Sequence, residues 1–167
     1  MIRNEATRDY VPLRNASVEL YRDVVVPPGM ARVFFQDGVA QAAINEYRPH
    51  CELTVRNVVE RPQSIYADHF TVERVSSDIV HVVASGGVVV AISADFHLAS
   101  GDGGSDGGGD GESRLMKIYT LYLHSDRQPD VLSLVCGGAF NSPALAERPS
   151  LQDIETALGD YATLQLH

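Results

Sequence analysis

With 167 residues, 44% of them hydrophobic and 21% charged, the chain has the size and composition of one globular domain with a core of its own. Thirteen basic against 22 acidic side chains give a formal charge of −9. The basic set, twelve arginines and Lys117, is scattered, and such a surface argues against nucleic-acid binding. No apolar run approaches the roughly 20 residues of a membrane-spanning helix.

Residues 1–14 read as an extended amino-terminal arm without the apolar stretch of a signal peptide. The chain is therefore expected to be either cytosolic or a trimmed mature form with an added methionine. Asn15-Ala16-Ser17 matches a glycosylation sequon, a three-residue pattern that arises often by chance. Val18–Val26 and Met30–Phe35 are β-branched or aromatic runs flanking Pro27-Pro28-Gly29. Proline then glycine at the central positions suits a type II turn, so the two runs are predicted to pair as a hairpin. Residues 39–47 fit either a short helix or an extended stretch. Cys51, Leu53 and Val55 alternate with His50, Glu52, Thr54 and Arg56, the period of a strand with one face inside. Phe70–Val75 repeats that pattern.

Residues 78–98 form the clearest predicted hairpin. A three-residue loop, Ser85-Gly86-Gly87, sets Val80, Val82 and Ala84 opposite Ile92, Val90 and Val88. A two-residue Gly86-Gly87 loop pairs His81 with Ile92 instead. The first register segregates the faces better and is the one expected. Residues 99–112 follow as a glycine-aspartate loop, flexible by composition, with seven glycines in the eleven residues 101–111. Leu115–Leu123 and Asp130–Cys136 are two further strands. Ser150 is a natural N-cap with Asp153 at the third helical position. Leu151, Ile154, Ala157 and Leu158 share one helical stripe that Gly159 ends, and Asp160–Leu166 returns as a last strand. The whole reads as a single mainly β domain over 1–167. It is expected to be an antiparallel β-sandwich or partly closed barrel of seven to nine strands with one carboxy-terminal helix.

The only two cysteines, Cys51 and Cys136, lie on inward faces of two such strands beside leucines. They read as one buried disulfide and hence as an oxidising compartment. The alternative is two separate buried thiols acting as small hydrophobes. A cross-link here closes about 85 residues, which chain entropy values at roughly 4–4.5 kcal/mol. Neither cysteine has the setting of a catalytic thiol. Gly103-Gly104-Ser105-Asp106-Gly107 is a formal G-x-S-x-G, but no helix follows it, and composition alone makes the match. Asp102, Asp106, Asp110 and Glu112 could cage calcium, yet their spacing fits neither the EF-hand nor the glycine-rich nonapeptide repeat. His50, His69, His81, His97, His124 and His167 show no metal-ligand spacing. Asp68-His69 and His124-Ser125-Asp126 become acid–base machinery only if the fold joins them. Tyr119, Tyr122 and Phe34-Phe35 could line a ligand groove, although strand aromatics more often serve packing.

Four blocks, Val26–Gln36, Glu46–Leu53, Leu134–Gly138 and Ile154–Tyr161, resemble uncharacterised small lipoproteins or periplasmic proteins of proteobacteria. The resemblance implies a protein of the Gram-negative periplasm or cell envelope in which Cys51 is joined to Cys136. Any membrane contact would then run through a lipid anchor outside this chain. The functional expectation is a non-enzymatic binding or structural module, its partner an envelope protein or a small ligand. No catalytic residue, cofactor or metal is assigned. The alternative is a small enzyme assembled only in three dimensions around His81, His97 or His124 and nearby aspartates.

Overall fold

The computed structural model describes residues 1–5, 9–11, 13, 15–85, 88–92 and 114–167, with the backbone alone for 9–11, 82–85 and 88–92. In chain order the elements are β1 (Ile2–Asn4), β2 (Asp9–Val11), β3 (Ser17–Leu20), β4 (Val24–Val26), β5 (Arg32–Gln36) and β6 (Val39–Gln41). They continue with β7 (His50–Val55), β8 (Gln63–Ile65), β9 (Asp68–Ser85), β10 (Val88–Ile92), β11 (Arg114–His124), β12 (Val131–Gly137), α1 (Leu151–Leu158) and β13 (Ala162–Gln165). One antiparallel sheet runs β13-β3-β9-β11-β12-β7-β5-β6, with β10 also paired to β9. The expected mainly β architecture with a single late helix is therefore the one observed. Helix α1 packs on β13 at one edge and on β5 and β7 towards the other, so it lies inside the curl of the sheet. Its buried stripe is Leu151, Ile154, Ala157 and Leu158, and Ser150 and Asp153 form a reciprocal capping box.

Two β-bulges produce part of this curl. One displaces the β9–β11 register so that Tyr122 opposes Arg74 while Leu123 opposes Val72. The extra residue, Glu73, lets Val72 and Val75 both turn towards the core. The second lies between Val131 and Ser133 on β12, opposite Val55 and Thr54 of β7. It gives the inner place to Val131 and leaves Leu132 only half-buried, where simple alternation puts Leu132 on the same face as Leu134 and Cys136. Both bulges sit at the same end of the sheet, because a short turn joins β11 to β12.

Two local expectations are corrected, and a third, left open, is decided. The Pro27-Pro28-Gly29-Met30 turn forms as expected, with Met30 N–H donating to Pro27 C=O at 3.2 Å and Gly29 at φ +73°. Its flanking strands do not pair, however: β4 pairs β8, while β5 pairs β6 and β7. A turn fixes chain direction locally, and burial of Val24, Val26 and Ile65 decides the partner. The β9–β10 hairpin takes the two-residue register, Ser85 opposite Val88 and His81 opposite Ile92. Its register follows the shortest connection, the kind two glycines favour, rather than the segregation of faces. Residues 39–47, which fitted either a short helix or an extended stretch, contain no helix and begin as the strand β6.

Asp37 and Gly38, both at positive φ, make the tight β5–β6 turn instead. Asp-Gly between apolar runs was the missed signal. The buried Gln36 side chain then pins the following loop, exchanging two 2.9 Å bonds with the Asn45 backbone. The amino-terminal segment is extended, but β1 and β2 pair with each other, and Ile2 is fully buried. The expected glycine-aspartate loop lies outside the described residues.

Candidate functional site

Alternation along β11 puts Lys117, Tyr119, Leu121 and Leu123 on the face that looks into the curl. Leu121 and Leu123 are deep in the core, whereas Tyr119 and Lys117 approach its open side, opposite Ser77 and Ile79 of β9. Here the amino-terminal strand crosses over the sheet, and the Tyr119 hydroxyl donates to Met1 C=O at 2.9 Å. The opposite wall is the segment leading to α1, residues 146–149. It is seated by Gly138, whose N–H donates to Lys117 C=O at 3.1 Å. A Cβ at Gly138 would lie only 2.3 Å from Glu147 C=O, so only glycine lets this wall approach so closely.

The result is an open cleft of about 550 Å³, within the usual size of a small-molecule site. Its polar lining is Arg3, Ser77, Lys117, Tyr119, Glu147 and Arg148. Arg3 is 3.2 Å from Glu5 and 3.9 Å from Glu147, and the Arg148 guanidinium lies 5.8 Å from the Tyr119 ring centre. Among the described residues no carboxylate pairs with Lys117. A second hollow of about 530 Å³ adjoins across Met1 and Ser77, along β9 beside Leu13 and Asn15. Of the aromatics that could line a groove, Tyr119 alone reaches this cleft. Phe35 is core, Tyr122 carries Arg74 at 3.9 Å, and Phe34 carries Arg32 at 5.9 Å.

The fold does join Asp68-His69 to His124-Ser125-Asp126, at the bulged end of the sheet. The arrangement is not a hydrolytic triad. Ser125 Oγ donates to Asp68 Oδ2 at 2.6 Å, so the serine faces the acid directly rather than a histidine. The two imidazoles point elsewhere, His69 to Glu19 at 2.8 Å and His124 to Asp126 at 3.0 Å. The Asp68 side chain, 7% exposed, also accepts from Gln128 at 3.0 Å, from the His69 N–H at 2.9 Å and from Arg127 at 3.4 Å. Burial raises its pKa. The bonds from Ser125, Gln128 and His69 and the charge of Arg127 outweigh that, and the carboxyl is held below its ordinary value. This cluster is a clasp on the β11–β12 turn.

His50 stands buried behind the disulfide, on the other face of β7, with Nδ1 3.1 Å from Arg48 C=O. Burial lowers its pKa against the opposing influence of that carbonyl and of Glu52 and Glu46, which favours the neutral ring. His81 is exposed on β9, and His167 lies 3.2 Å from Ser17 Oγ. His97, the G-x-S-x-G serine Ser105 and the acidic set Asp102, Asp106, Asp110 and Glu112 lie outside the described residues. No group of three or more His, Cys, Asp or Glu is placed to hold a metal among the described residues.

Cys51 and Cys136 are joined, directly opposite one another on β7 and β12, with both residues fully buried. No helix among the described residues is long and apolar enough to cross a membrane. Comparison with protein-family models, curated proteins and solved structures returns no significant match.

Proposed function

We propose that this chain is an exported, disulfide-bonded β-domain of the bacterial cell envelope that acts as a non-enzymatic binding module. The observation that carries the reading is the Cys51–Cys136 bond, which spans 85 residues of sequence and joins the neighbouring strands β7 and β12. Structural disulfides persist in the periplasm and outside the cell and are rare where glutathione and thioredoxin keep thiols reduced. The likeness of Glu46–Leu53 and Leu134–Gly138 to small lipoproteins and periplasmic proteins supports the same address. Binding rather than catalysis is supported by an open cleft lined by Arg3, Lys117 and Arg148, with no carboxylate paired to Lys117 among the described residues. The alternative enzyme around His81, His97 or His124 gains nothing from the described residues. His81 is exposed, and His124 is engaged with Asp126 at the bulged end of the sheet.

The test is fractionation of the full-length gene product from its native host, with thiols trapped by alkylation at lysis. The expected result is recovery in the periplasmic or envelope fraction with both cysteines protected. Recovery in the cytosol with two alkylated cysteines per chain would overturn the proposal.

A further inference from the structure

The charge of the cleft runs against the charge of the protein. Acidic side chains outnumber basic ones 22 to 13 over the chain, yet the cleft presents Arg3, Lys117 and Arg148 against the single carboxylate of Glu147. Several arginines elsewhere have close carboxylates: Arg32 with Glu52 at 3.2 Å, Arg48 with Asp37 at 2.7 Å, and Arg56 with Asp130 at 3.3 Å. At the cleft Arg3 is paired with Glu5 at 3.2 Å and lies 3.9 Å from Glu147, whereas no carboxylate pairs with Lys117 or Arg148 among the described residues. Lys117 is the only lysine of the chain, and it stands half-buried beside a buried tyrosine. A lysine whose stem is half-buried and whose ammonium has no carboxylate partner among the described residues is open to an anion from outside. A compact ammonium suits carboxylate or phosphate oxygens as a point charge, and two flanking guanidiniums supply forked donors to the same groups.

We propose that this cleft binds a small anionic molecule carrying two or more carboxylate or phosphate groups. Lys117 is its central contact, Arg3 and Arg148 grip it from the rim, and Ser77 contributes a hydroxyl. The proposal rests on the binding-module reading and names the class of ligand. Its size follows from the cleft, about 550 Å³ and open on one side, which admits a compact polyanion but not a folded partner.

The test is calorimetric titration of the purified oxidised protein with citrate and, separately, with pyrophosphate. Ionic strength is held constant with chloride, and spermidine serves as the cationic control. At least one of the two anions is expected to bind and spermidine is not; the tighter anion identifies the ligand as a carboxylate or a phosphate compound. Lys117→Gln and Arg148→Gln are each expected to weaken that binding at least tenfold, while Arg56→Gln, at a distant exposed pair, leaves it unchanged. If Lys117→Gln does not fold, Arg148→Gln at its exposed position carries the same comparison. No heat from either anion at millimolar concentration, or equal affinity in the wild type and both cleft variants, would overturn the proposal. The outcome is separable from cellular address. A cytosolic, reduced protein that binds citrate through Lys117 would remove the export reading and keep the site. An exported, oxidised protein indifferent to both anions would do the reverse.

Discussion

The Cys51–Cys136 bond joins residues that the β7–β12 register already places face to face, so folding brings the sulfurs together before they are linked. Its main thermodynamic effect is on the unfolded chain, where closing an 85-residue loop is worth about 4.5 kcal/mol in the chain-entropy treatment. Both residues are at 0% exposure, so a thiolate reaches the bond only when the sheet opens. Two outcomes are expected. Dithiothreitol in native buffer should reduce the bond at a rate that follows unfolding and rises steeply with temperature. The double variant Cys51→Ala/Cys136→Ala should melt about 10 °C lower, since ~1 kcal/mol shifts Tm by a few degrees at this chain length, and should be indifferent to reductant. Rapid reduction of the folded protein, or a reductant-sensitive double variant, would contradict this account. Pairing was legible from two inward cysteines on alternating strands because inwardness is a period-two property of the local sequence. Lys117 and Arg148 as neighbours were not legible, since 31 residues and two strand reversals separate them.

At the scale of elements, the β11–β12 turn shows how a short connection is fixed by a side chain from elsewhere. Asp68, at the start of β9, collects hydrogen bonds from Ser125, Gln128, Arg127 and the His69 N–H, while Gln128 also bonds both backbone groups of Tyr66. Asp68→Asn removes the charge and presents an amide to donors already in place. It is expected to cost about 1.5–3 kcal/mol at pH 7, measured by urea denaturation. The pH dependence has a definite sign. Because the folded pKa is lowered, the contribution of Asp68 is complete above its ordinary value of 3.8 and declines as pH falls through the interval down to the folded pKa. The wild type should therefore lose more stability than Asp68→Asn between pH 5 and pH 2. Parallel curves for the two proteins would show that the clasp contributes nothing. The capped helix and the strands around Cys51, Tyr119 and Cys136 were legible because caps and alternation are written in adjacent residues. The bulges at Glu73 and Leu132 were not, for each trades one residue of local regularity for two strands' worth of packing.

The shape of the whole molecule depends on pairings of very different sequence range, and this is where the sequence was least legible. The type II turn at Pro28-Gly29 is real, yet its strands go to different partners, and β3 ends between β13 and β9. Closure comes where the far edge of the sheet meets the helix. Gly38 N–H donates to Ala157 C=O at 3.1 Å, and the Phe35 and Tyr161 rings meet at 5.5 Å with their planes tilted by 56°. A Cβ on Gly159 would meet Gly38 Cα at 2.5 Å. Gly159 also has φ +53°, so this position rejects a side chain both by backbone conformation and by contact with another backbone. Gly159→Ala must separate the β5–β6 turn from the helix end, and no side-chain rotation relieves the clash. The expected cost is about 2–4 kcal/mol, the sum of a strained φ and an overpacked contact. The damage should be localised: amide exchange is expected to accelerate at Gly38 and through β6 and β13, while β9, β11 and β12 keep their protection. The cleft over Lys117 is built on those last strands and on the 146–149 wall, so anion binding by the folded variant should persist. A variant that unfolds uniformly faster, with no gradient from the closure to the sheet centre, would place the molecule's weak point elsewhere.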